Sequence, residues 1–100
     1  MIDLDRVAGF EWDVGNQRKS LDRHGVSQAE AEQLFLNEPL LLLDDSRHSA
    51  LEPRFHALGR ANSERRIHIT FTLRRSQSLI RVISARDMSR KERTIYEKVE

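Results

Sequence analysis

The strongest constraint on this chain is a change of hydrophobic period at Arg54. Before it, apolar residues recur at helical spacing; after it, they alternate. Ile67, Ile69, Phe71 and Leu73 fall on one side of a period-two segment, and His68, Thr70, Thr72 and Arg74 on the other. Strict alternation over eight residues is the mark of a strand with unlike faces. Arg54–Arg60 and Leu79–Ala85 read the same way, with breaks at residues 61–64 and 75–78. Three consecutive strands with short breaks predict an antiparallel meander.

Helical signals flank the meander. Ser27-Gln28-Ala29-Glu30 is a capping box, followed by Ala31, Leu34 and Phe35 at helical spacing and stopped by Asn37-Glu38-Pro39. Residues 15–23 predict a shorter polar helix that ends at His24-Gly25, where glycine is free to turn left-handed. A second capping box, Ser89-Arg90-Lys91-Glu92, opens a last helix bearing Ile95, Tyr96 and Val99. Phe10–Asp13 reads as a short strand, Leu40–Leu43 as a buried strand, and Asp44-Asp45-Ser46 as a turn into a polar loop. The expectation is a small single α+β domain: an antiparallel sheet, two N-terminal helices and one C-terminal helix. Residues 1–9 read as an extension and 10–100 as the domain.

One hundred residues support a single modest core. The longest purely apolar run has four residues, too short for a membrane span, and the acidic N-terminal residues do not form a secretory signal. A cytoplasmic location is expected. Without cysteine there is neither a disulfide nor a thiolate zinc site, and the four histidines follow no ligand spacing. No metal or other cofactor is expected. Asp44 and Asp45 read as turn formers before magnesium ligands.

The net charge of +1 hides a dipole along the chain. Residues 1–52 carry five bases against eleven acids, and residues 53–100 carry twelve bases against five. Fourteen of the seventeen bases are arginine, which favours forked contacts to phosphate or carboxylate. The C-terminal half is therefore either a solvated basic face or a polyanion site.

Within it, His48, Glu52 and Arg54 lie close together in sequence and could share one pocket. Histidine titrates near working pH, and an arginine beside it suits a phosphate. His24 is either a helix cap or a proton-transfer or phosphate contact. His68 and Arg74 share the polar side of the middle strand, which is either solvated or a cleft floor, and His56 has the same ambiguity. Arg81 fits a substrate contact or a pair with Glu52. Tyr96 fits core packing or a contact to RNA, and Trp12 reads as a core anchor.

Several strings in this order resemble the BrnT family of bacterial toxins. They are Phe10-Glu11-Trp12-Asp13; Arg23-His24-Gly25-Val26-Ser27; Asp45-Ser46-Arg47-His48-Ser49 running on to Glu52 and Arg54; Phe71-Thr72-Leu73-Arg74; Arg81–Arg86; and Lys91-Glu92-Arg93 with Tyr96-Glu97. Where the family commonly has proline, lysine and asparagine, this chain has Val14, Asn16 and Ser20; Arg23 stands for a lysine, Gln28 for a phenylalanine and Glu64 for a turn glycine. The resemblance implies a RelE-like fold and a metal-independent ribonuclease toxin that inhibits translation. It also implies a ribbon-helix-helix antitoxin of BrnA type, with operator DNA bound only through the complex. With it, Arg86, His48, Glu52 and Tyr96 become catalytic candidates. Arg54, Arg74, Arg81, His24 and Arg23 become candidates for RNA phosphate contact. The alternative is a catalytically silent toxin fold that binds an antitoxin or regulates transcription.

Overall fold

The computed structural model describes residues 4–13, 15, 21, 23–45 and 53–100. Five strands form one sheet: β1 Gly9–Glu11, β2 Leu41–Asp45, β3 Arg54–Arg60, β4 Arg66–Arg74 and β5 Leu79–Asp87. Two helices are described, α1 over Gln28–Leu34 and α2 over Arg90–Glu97. A 3-10 turn at Leu4–Arg6 precedes β1.

The strand order is β1-β5-β4-β3-β2. The meander expected over β3, β4 and β5 forms, and β2 extends it antiparallel along its far edge. The sheet is nevertheless mixed, because β1 pairs parallel with β5, Gly9 opposite Leu79. Pattern within a strand says which faces are apolar but not which distant strand lies alongside, so this parallel pair left no local signal. The strand near the amino terminus also lies one residue earlier than expected and stops at Glu11. The helix expected over residues 15–23 falls largely outside the described residues.

Leu40–Leu43 is corrected in two ways. The strand runs from Leu41 through Asp45, so the two aspartates close a strand and do not form a turn. It is an edge strand, and Leu43 keeps 49% of its surface exposed. Acidic residues suit such an edge, where they discourage pairing with another chain.

One face of the sheet packs on α1. Ala31 and Leu34 meet Ala57, Ile67, Ile69, Phe71, Ile80, Val82 and Ala85, with Phe10, Trp12 and Phe35 packed around them. Both turns of the α1 capping box are made: Ser27 Oγ accepts from the Glu30 amide at 3.1 Å, and Glu30 Oε1 accepts from the Ser27 amide at 3.2 Å. Such a cap contributes about 1 kcal/mol. Helix and sheet approach closely at Gly59, where a Cβ would stand 2.8 Å from Leu34 Cγ.

Arg65 ties this side together. It forks onto Asp87 at 2.6 and 3.1 Å and donates to the carbonyls of Gly25 and His24. The turn before it contains Glu64 with φ of 72°, where the resemblance expects glycine.

The other face carries a smaller cluster, Leu58, Met88 and Tyr96 with Leu41 against it, under α2. Alternation along β4 puts His68, Thr70, Thr72 and Arg74 on this side, and the face is not a solvated one: His68 and Thr72 are buried. A bulge in β5, where Thr70 faces Ser84 but Phe71 faces Val82, preserves this alternation on β4.

Candidate active site

Cross-strand register assembles the site. His68 on β4 lies between Leu58 on β3 and Arg86 on β5; one step along, Thr70 lies between His56 and Ser84. β5 turns into α2 through Met88 and Ser89, which brings Glu92, in the first turn of α2, back over Arg86. The resulting cleft, about 370 Å³, is bordered by Leu43, His56, His68, Arg86, Lys91 and Ile95 among others.

Inside it the two imidazoles stack, ring centres 4.9 Å apart, with His68 Nε2 2.9 Å from His56 Nδ1. Thr70 Oγ1 is 3.1 Å from the same Nδ1. The other nitrogen of His56, Nε2, lies 2.9 Å from Asp45 Oδ2. Asp45, His56, His68 and Arg86 thus form a diagonal across β2, β3, β4 and β5.

Arg86 is held by Glu92 in a two-pronged pair, Nη1 to Oε1 at 2.8 Å and Nη2 to Oε2 at 3.0 Å. Nη1 also donates to the Asp87 carbonyl. Glu92 accepts from the Ser89 amide at 2.8 Å, closing the second capping box. Burial works against the Glu92 carboxylate, but hydrogen bonds from Arg86 and the Ser89 amide, with nearby positive charge, hold it down at about 2. His68 is pushed down to about 4, chiefly by burial and then by the charge of Arg86. The imidazole beside the arginine is therefore neutral at working pH, the form a base requires.

A model of the ribonuclease toxin BrnT of type II toxin-antitoxin systems matches residues 12–92. The chain belongs to the BrnT family. Its fold is similar to that in the 1.1 Å crystal structure of the Brucella abortus ribonuclease toxin BrnT, with a TM-score of 0.62 and 20% identity over 82% of this chain and 97% of that one. No curated protein sequence matches the chain. The part matched by the BrnT model includes Asp45, His56, His68, Arg86 and Glu92, and stops short of Tyr96.

Of the residues selected from sequence, Arg86 lies in the cleft. Tyr96 does not: it is fully buried on the inner side of α2 and its hydroxyl donates to the Pro39 carbonyl, so it packs the fold and has no free edge for RNA. His48 and Glu52 lie outside the described residues. Arg81 pairs with Asp13 at 3.2 Å. Arg54 and Arg74 share its sheet face at the end away from α2. Arg23 and His24 are exposed, and the His24 carbonyl is tied through Arg65 to Asp87, one residue past Arg86 and so on the opposite face. The structure does not bring these two to the cleft.

Sequence reasoning passed over Asp45 as a turn former. Its second role depends on register, which no spacing along the chain displays; the pairing of Arg86 with Glu92, by contrast, is one of the structural alternatives the sequence offers for that arginine. The one available signal was that His56 and His68 each fall on the non-core side of neighbouring strands.

Proposed function

We propose that this BrnT-family chain is a metal-independent endoribonuclease that inhibits translation by cutting RNA in the cytoplasm, and that a BrnA-type ribbon-helix-helix antitoxin neutralises it. The observation that carries the reading is the stacked His56–His68 pair lining one cleft with Arg86. Strand scission of this kind needs a base for the ribose 2′-hydroxyl proton and a cation for the charge that grows on the phosphate. The imidazole pair supplies the first and Arg86 the second, with Lys91 a further cation on the rim. Phosphate arriving at Arg86 adds negative charge beside His68, which raises its proton affinity at the step that uses it. Arg54, Arg74 and Arg81 on the same sheet face give the flanking RNA backbone a basic track. His48 and Glu52 are kept in the proposal on the strength of the sequence alone.

Purified chain incubated with RNA in EDTA tests this directly. Cleavage that an Arg86→Ala control loses is expected; intact RNA at high protein concentration would overturn the reading. The antitoxin should cover the basic face with an acidic segment, and its affinity should fall as salt rises.

A second reading has one observation in its favour. Arg86 already holds an internal carboxylate, Glu92, where a substrate phosphate would sit. A silent toxin fold that only captures an antitoxin is consistent with that occupancy. Growth left untouched on induction, with the antitoxin still captured, would establish it.

A further inference from the structure

The hydrogen bonds along Asp45, His56 and His68 have a direction, and both ends of the line fix it. At one end, an ionised carboxylate oxygen only accepts, so His56 must carry its hydrogen on Nε2, 2.9 Å from Asp45 Oδ2. A neutral His56 then has its lone pair on Nδ1. The two groups that reach that atom, His68 Nε2 at 2.9 Å and Thr70 Oγ1 at 3.1 Å, can both donate to it.

At the other end, His68 is 7% exposed, and its Nδ1 is buried with no hydrogen-bond partner among the described residues. Were His68 to carry its hydrogen there, a buried N–H would go unused and Nε2 would face the His56 lone pair. Buried donors without partners are rarer than buried acceptors without them. The economical arrangement places the His68 hydrogen on Nε2, donating to His56, and the lone pair on Nδ1. Carboxylate and burial therefore select the same direction independently.

We propose that Asp45 is a positioning residue: by accepting from His56 Nε2 it orients the whole pair, so that His68 Nδ1 is the one atom at which the pair can take up a proton. Its use in RNA cleavage rests on the ribonuclease reading above. With RNA in the cleft, the 2′ O–H bond breaks and its proton goes to His68 Nδ1. The oxygen's electron pair forms the new bond to phosphorus, and the bond from phosphorus to the 5′-oxygen breaks; its electron pair stays on that oxygen, which takes a proton from solvent water. The resulting imidazolium donates through Nε2 to His56, whose own N–H rests on Asp45. The side chain of Glu92, 4.0 Å from His68 Nε2, adds a second negative charge nearby. Asp45 touches no substrate in this scheme and acts only through His56.

The test uses the full chain, uniformly labelled with nitrogen-15, and long-range proton–nitrogen correlation at neutral pH. His56→Gln and His68→Gln variants assign the two rings. In the wild type both rings should show hydrogen on Nε2. Asparagine at position 45 can donate as well as accept, so in Asp45→Asn a share of His56 should move its hydrogen to Nδ1 while the melting temperature holds. With a short RNA as substrate, kcat should fall by about 100-fold or more and KM should change by less than about threefold. A wild-type His56 with its hydrogen on Nδ1 overturns the proposal, and that spectrum needs no variant to fold. So do unchanged tautomers in a folded Asp45→Asn, or cleavage by that variant at the wild-type rate. A wild type that cuts no RNA yet shows the expected tautomers, altered in Asp45→Asn, overturns the ribonuclease reading and leaves Asp45 as the residue that sets the tautomers.

Discussion

Glu92 grips Arg86 with both carboxylate oxygens while one of those oxygens also accepts from the Ser89 amide that begins α2. A single side chain thereby fastens the last helix to the last strand and aims a guanidinium into the cleft.

Lysine at position 86 keeps the charge near Glu92 but loses the fork. Both partners are partly exposed, so the weakened pair should cost under about 1 kcal/mol of stability. A phosphate that needs two donors at once loses more, and RNA cleavage by Arg86→Lys should drop by about 100-fold. Melting curves and initial rates on one RNA check both halves. An unfolded variant would make Arg86 structural; a wild-type rate would move the active site elsewhere.

Acid should destabilise the fold in two overlapping steps. Unfolded, His68 returns to its ordinary value near 6.5, so between there and about 4 the unfolded chain binds a proton that the folded chain refuses. Stability falls as pH drops through that window. Glu92, ionised in the fold down to about 2, adds a second loss as pH falls below about 4.5. Melting temperature against pH should show His68→Gln removing the upper step and Glu92→Gln the lower one.

The turn at Glu64 predicts a stabilising change. A left-handed backbone costs an ordinary residue about 1–2 kcal/mol, and glycine returns roughly half of that as chain entropy. Glu64 also pairs with Arg60 on the surface, a minor loss. Glu64→Gly should therefore gain about 0.5 kcal/mol, a rise of about 3 °C. Glu64→Ala, which keeps the backbone conformation, should show no gain.

Gly59→Ala should act in the opposite sense. Its new methyl would press Leu34 at 2.8 Å and force α1 outward. Overpacking of this kind costs about 1–3 kcal/mol, readable as a lower denaturation midpoint with unchanged slope.

The residues that announce themselves along the chain are those whose partners are near in sequence. The two capping boxes span four residues each, and both form. The alternation of β4 survives intact because the bulge falls on β5. What stayed hidden depends on register and edge position. Leu40–Leu43 looked buried because it is apolar, yet it borders the sheet. Asp45 looked like a turn former because aspartate is rare inside strands, yet its carboxylate finds His56 on the next strand. Arg86 was legible as a functional arginine from the family resemblance; that its fork closes on Glu92, with the carbonyl of Asp87 beside it, shows once β5 and α2 are folded together. Tyr96 shares helical spacing with Ile95 and Val99, and that spacing alone does not say which of the three faces inward.

The parallel pairing of β1 with β5 sets an order of assembly. Gly9–Glu11 lines up beside Leu79–Arg81, so the first of the described strands waits for the last of them. β2, β3 and β4 can come together while the chain is still growing, because each pairs with its neighbour in sequence. Arg86 and Glu92 emerge later still. A nascent chain thus lacks both the partner of β1 and the Arg86 guanidinium until residues 79–92 have left the ribosome, and a fragment that stops before them has neither.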